Sequence, residues 1–186
     1  CCSTRLPFIC STSRGDLPLC PTSARFPQDP SGTGKMEPMQ TLLPYPDFEQ
    51  TARALDSRRL GKQRAEALTV LRCLEDPTRK GWRNHPAIAM WRGYEDALKA
   101  YINACIDEWV RRGYRNYMPR MEHAPNPPMP PWLGDPEFHR SHQSNLIRKD
   151  PAHYSRLFPG VPDDLPYVWP RPKAEDQPPS VEIQAT

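Results

Sequence analysis

Proline placement narrows most what this chain can fold into. Its 25 prolines crowd before residue 39, across 119–136 and after 158. A proline inside a helix removes a hydrogen bond and clashes with the preceding turn; inside a sheet it removes a ladder bond. Regular structure is therefore confined to the intervals between these stretches. Those intervals carry apolar residues at helical spacing, with no alternating strand pattern of useful length and no internal repeat. The predicted fold is all-α: a compact helical domain built around one long central helix, with disordered or irregular proline-rich ends.

Three segments follow. Residues 1–38 are rich in Ser, Thr, Pro and Gly and lack periodicity. They read as a disordered leader, or as an upstream region translated by mistake, with Met36 and Met39 both offering starts. Residues 39–169 form the helical domain, and 170–186 a flexible polar tail. Within the domain, Asp47 caps a first helix, with Gln50 three positions on. A second runs from about Ser57 to Glu75, with Leu60, Ala67, Leu71 and Leu74 as its apolar stripe. His85-Pro86 opens the long helix, roughly 27 residues and about 40 Å at its usual rise. It closes at Arg111-Arg112-Gly113-Tyr114, with Gly113 in the left-handed cap. Asp135-Pro136 and Asp150-Pro151 start two more helices.

Charge is concentrated in the domain. Residues 39–173 hold 21 Lys and Arg against 16 Asp and Glu, a net of +5, compared with +3 for the whole chain. This mild basic bias suits a polyanionic partner. Four of the six cysteines lie in the first 20 residues; Cys73 and Cys105 fall inside predicted helices and read as buried thiols in a reducing cytoplasm. No Cys-x-x-Cys pair and no apolar run of membrane-spanning length is present, so neither a zinc knuckle nor a membrane partner is expected.

The stretch LDSRRLGKQRAEAL, residues 55–68, packs Arg58, Arg59, Lys62 and Arg64 together without an acid between them. On a helix, Arg58, Arg59 and Lys62 fall away from the apolar stripe, as a solvated flank able to meet backbone phosphate. Arg64 falls about 40° from Leu60, within the stripe, where a guanidinium needs a partner. Either a carboxylate of the long helix supplies it, or Arg64 and Gln63 line a cleft for a phosphate or base. In GWRNHPA, Arg83 and His85 precede a helix N-terminus, which favours anions, and Trp82 either packs or stacks. His139 and His142 share a helix face, forming with Gln143 and Asn145 a polar patch toward nucleic acid or the first helices; Arg148 and Lys149 follow. Ser141 and Ser144 read as surface or helix-contact serines. Two histidines lack a third ligand, so no metal and no cofactor are expected, with a metal-dependent hydrolase using His85, His139 and His142 as an alternative.

LDSRRLGKQRAEAL, then GWRNHPA, then a long helix closing in RRGY, then HQSNLIRKDPAHY, resemble in order and spacing the pyrimidine-dimer DNA glycosylase (endonuclease-V-type) family. The resemblance covers roughly 39–158 and is nearest to a bacterial branch that begins MQTxLPYPDF. It implies a compact all-α enzyme that kinks duplex DNA, displaces a base and attacks the sugar of the damaged nucleotide. The amino group of the mature chain's first residue forms an imine at C1′, a nearby Glu assists, and β-elimination cuts the strand. An α-amine suits this, since its pKa of about 7.7–8.0 leaves a nucleophilic fraction at neutral pH.

The site residues expected are then Glu66 and Arg64 for catalysis, with Arg58, Arg59, Lys62, Gln63, Arg83, His85, His142, Arg148 and Lys149 contacting nucleic acid. Two departures from the family pattern stand out. Gln40 follows Met39 where the family typically keeps Thr, and Arg64-Ala65-Glu66 sets the acid one residue late, about 100° of helical rotation. The function expected is a monomeric glycosylase and abasic-site lyase acting on double-stranded DNA in base excision repair. A non-catalytic nucleic-acid-binding module on the same fold is the alternative.

Overall fold

The structure is a computed structural model that describes residues 39–76, 78 and 84–170, all within one compact unit. The expectations for the 1–38 leader, for Trp82 and Arg83, and for the tail beyond Pro170 lie outside the described residues. Six helices and no strand occur among the latter: α1 (Phe48–Ala54), α2 (Ser57–Glu75), α3 (Pro86–Ala89), α4 (Glu95–Arg111), α5 (Pro136–Lys149) and α6 (Pro151–Leu157). The all-α class follows. Helix starts agree with the capping signals: the Asp47, Asp56, Asp135 and Asp150 side chains each accept from a backbone N–H of the first turn. Gly113 ends α4 at φ 84°, the left-handed cap.

The long central helix is the one element that changes. It is broken between α3 and α4, because Gly93 sits at φ 83° and its N–H turns back onto Glu95 Oε1 at 3.0 Å. The break seats Trp91 in the core, fully buried and edge-on to Trp132 at 5.0 Å. Burying one such ring is worth roughly 2–3 kcal/mol, enough to outweigh a few helical hydrogen bonds. The cue was readable as Gly93 followed by Glu95 and Asp96, a C-terminal glycine and then an acidic first turn.

The core lies where α2 packs on α4, with α1 against α4 and α3 against α2. Leu60, Ala67, Val70 and Leu71 of α2 meet Leu98, Tyr101, Ile102 and Cys105 of α4 there. Through this core runs an extended segment, residues 39–45, without a sheet partner. A buried backbone without a ladder must find side-chain partners. Leu42 N donates to Gln63 Oε1 at 2.8 Å, Tyr101 Oη donates to Leu42 O, and Leu43 N donates to His142 Nδ1 at 3.0 Å. His139 Nδ1 meets Leu43 O at 2.8 Å, and Gln143 Nε2 donates to Pro44 O at 2.8 Å. Three helices thus close a polar cradle around the segment that leads into α1.

Candidate catalytic and nucleic-acid site

The outward edge of that cradle is Glu66. Its carboxylate accepts from Gln63 Nε2 at 2.9 Å and from the Gln40 backbone N–H, and Lys62 Nζ lies 3.6 Å away. Gln40 is held from its other sides as well, its carbonyl by Gln63 Nε2 and its amide oxygen by Asn145 Nδ2. Burial pushes the Glu66 carboxyl up to about 7, against the opposing pull of Lys62, the Gln40 N–H and Lys149. A carboxyl poised there exchanges protons readily at neutral pH. The one-residue displacement from the family pattern therefore does not carry the acid away from residue 40. Ala65 points off to the other flank of α2, and Glu66 faces the segment.

About two turns before Glu66, Arg59 belongs to a tighter cluster. Its Nη1 lies 2.7 Å from Asp56 Oδ2 and 3.7 Å from Asp150, and its guanidinium sits over the Tyr154 ring at 5.4 Å. Burial alone would raise the Asp56 pKa, but hydrogen bonds from Tyr154 and Arg59 outweigh it and hold the carboxyl at about 2. This cluster ties α2 to the α5–α6 junction.

Arg64 lies on the opposite flank. Among the described residues no carboxylate meets it: Nη1 donates to Asn116 Oδ1 at 3.0 Å and the guanidinium stacks on Trp109 of α4 at 3.9 Å. Burial lowers its pKa, and Nε is buried with no hydrogen-bond partner. The expected partnership with Gln63 in one cleft does not form, because the two side chains leave α2 in different directions.

Other expected contacts serve the fold. Gln63 is 1% exposed with its amide engaged by the backbone at residues 40 and 42, Tyr101 and Glu66. His142 is fully buried, and burial pushes its imidazole down to about 3, so it stays neutral. Both residues were expected on a nucleic-acid surface; enclosure by the 39–45 segment removes them from it. His139 uses both ring nitrogens on backbone, at Leu43 O and at Gly134 N, which leaves none for a metal. No group of three His, Cys, Asp or Glu among the described residues is placed to hold one. His85 caps α3 through Nδ1 and Ala87 N, and Arg148 clasps the carbonyls of Asp163 and Leu165. Ser141 and Ser144 are buried, the one accepting from Val168 N and the other from Leu165 N.

The structure thus sets Gln40, Lys62 and Lys149 around Glu66, ties Arg59 into the Asp56–Asp150–Tyr154 cluster, and leaves Arg58 on the exposed ridge of α2. It adds Gln40, Tyr154 and Trp109, which composition and spacing did not single out; only Gln40 carried a signal, as the residue after Met39. No described helix is long and apolar enough to cross a membrane. Residues 39–122 match the family model described as pyrimidine dimer DNA glycosylase. No curated protein and no solved structure matches the chain.

Proposed function

We propose, from the match of residues 39–122 to the pyrimidine dimer DNA glycosylase family model, that the chain binds damaged duplex DNA and excises a base, cutting the strand at the abasic site. The observation that carries the reading is Glu66: a largely buried carboxyl held near neutrality, in contact with the backbone nitrogen of residue 40, on a helix edge flanked by Lys62 and Lys149. The lysines and Arg58 neutralise phosphate, while Glu66 moves the proton that imine formation and β-elimination require. In the family resemblance the nucleophile is a terminal amine. A chain processed so that Gln40 carries the α-amine would hold it where the Gln40 N–H now meets the Glu66 carboxylate. Buried free thiols at Cys73 and Cys105 suit a reducing cytoplasm.

The test is borohydride trapping on duplex DNA containing an abasic site, using chains that begin at Met39 and at Gln40. A covalent adduct that maps to the first residue supports the reading. Absence of an adduct from both chains, with the strand left uncut, sinks the lyase chemistry. Duplex affinity that does not fall with salt sinks the DNA-binding reading itself.

A further inference from the structure

The other flank of α2 carries a built feature that the Glu66 chemistry does not use. Val110, Tyr114 and Tyr117 are 52%, 41% and 87% exposed, three of the most exposed large apolar side chains in the described residues, within one eight-residue stretch. The turn that presents them is rigid. Gly113 at φ 84° reverses the chain, Trp109 Nε1 donates to Arg115 O at 3.0 Å, and Tyr114 Oη donates to Ser57 Oγ at 3.0 Å. Asn116 accepts from both Arg64 Nη1 and Met118 N, and donates to Met118 O at 2.7 Å. The backbone on both sides of Tyr117 is therefore held, and its side chain projects into solvent.

The turn is tied to a stack through Trp109 and Arg64. Tyr114 lies on Trp109 with centroids 4.2 Å apart, and the Arg64 guanidinium covers the same ring at 3.9 Å. Two planar groups so close to one ring occupy its opposite faces. Gly61 makes room for it: a Cβ there would meet the Trp109 ring at 3.1 Å. The flanking charge is basic, with Arg115 and Arg58 exposed.

We propose that Tyr117, presented by the 113–118 turn on its Trp109–Arg64 base, stacks against an unstacked nucleobase of the bound duplex. A backbone turn held before binding loses little entropy, every base offers a π-face, and the neighbouring arginines meet phosphate. On the α2 wheel Arg58 and Lys62 fall between Glu66 and Gly61, the residue that meets Trp109, so a duplex laid along them runs between the Glu66 flank and the flank that carries the 113–118 turn. This inference rests on the proposed action on duplex DNA.

The experiment uses the full chain and a duplex with 2-aminopurine placed opposite an abasic-site analogue. Binding of the parent protein should change 2-aminopurine fluorescence. Tyr117→Ala should abolish that change and weaken affinity about tenfold, while Tyr117→Phe keeps both. Because Tyr117 is 87% exposed, neither variant should shift the melting temperature. An alanine variant equal to the parent overturns the stacking role and leaves the DNA reading standing, as does a phenylalanine variant as weak as alanine. A parent protein that does not bind this duplex at low salt overturns both.

Discussion

Two polar rings share one residue, Gln63, and differ in what they leave undone. The inner ring, around Leu42 and Leu43, is built of Gln63, Tyr101, His139, His142 and Gln143. Each backbone group of the segment there meets a neutral side chain within about hydrogen-bond length. The outer ring, around Glu66, is built of Gln63, the Gln40 backbone, Lys62 and Lys149. It holds a carboxyl whose hydrogen bonds and neighbouring cations do not offset its burial, so the group sits near pH 7. Burial fixes the first ring as neutral; the second retains a proton that can move. Burial thus makes scaffold where the side chains are neutral and chemistry where one is an acid.

The sharpest way to break this contrast is Glu66→Gln. The amide keeps the size but cannot take a proton, so strand cleavage at an abasic site should fall by about 10²–10⁴-fold, measured by gel in single turnover. Duplex affinity at fixed salt should hold within a few-fold. Cleavage that survives would move the chemistry elsewhere.

The inner ring answers through stability. Gln63→Ala leaves the Leu42 N–H and the Gln40 carbonyl buried without their partners, at about 1–3 kcal/mol each in the least relaxed case. A loss of roughly 3 kcal/mol in chemical denaturation is expected. A loss below 1 kcal/mol would mean that water or a shifted 39–45 segment replaces the amide.

These outcomes also show why the sequence disclosed the fold more fully than the site. Aspartate caps and the Leu60–Ala67–Leu71 stripe are local signals, so α1, α2, α5 and α6 were legible to within a residue. Gly93 was legible too, but the apolar run around it concealed the break. Gln63 and His142 looked like surface chemistry because polarity in a helix says nothing about what packs on it. Their partners lie 21 and 99 residues away in an extended segment with no strand pattern. Arg64 was rightly placed within the apolar stripe, yet its aromatic and amide partners on α4 and the following turn could not be inferred from the helix alone.

A pH comparison tests the outer ring without DNA. The folded Glu66 pKa, about 7, lies above its unfolded value of 4.5. The folded state therefore binds the proton more tightly, and stability falls as pH rises from about 4.5 through 7. Glu66→Gln removes that slope. The variant should gain about 3 kcal/mol over the parent at pH 8 and almost nothing at pH 4, read from urea unfolding at both values. An equal offset at both would mean a packing change rather than a strained charge.

Arg58→Ala should have the smallest effect, and it separates surface from scaffold. Arg58 lies exposed near the start of α2, with its backbone N–H on the Asp56 cap rather than its side chain in the core. Stability should stay within about 0.5 kcal/mol. If the α2 ridge lies along phosphate, duplex affinity should drop about threefold and the slope of log affinity on log salt should fall by about one. Arg59→Ala makes the counterpart: it breaks the Asp56–Tyr154 cluster, so it should lower stability as well as affinity. If the two variants behave alike in both measurements, the division between a basic ridge that touches DNA and a clustered arginine that spaces the helices does not hold.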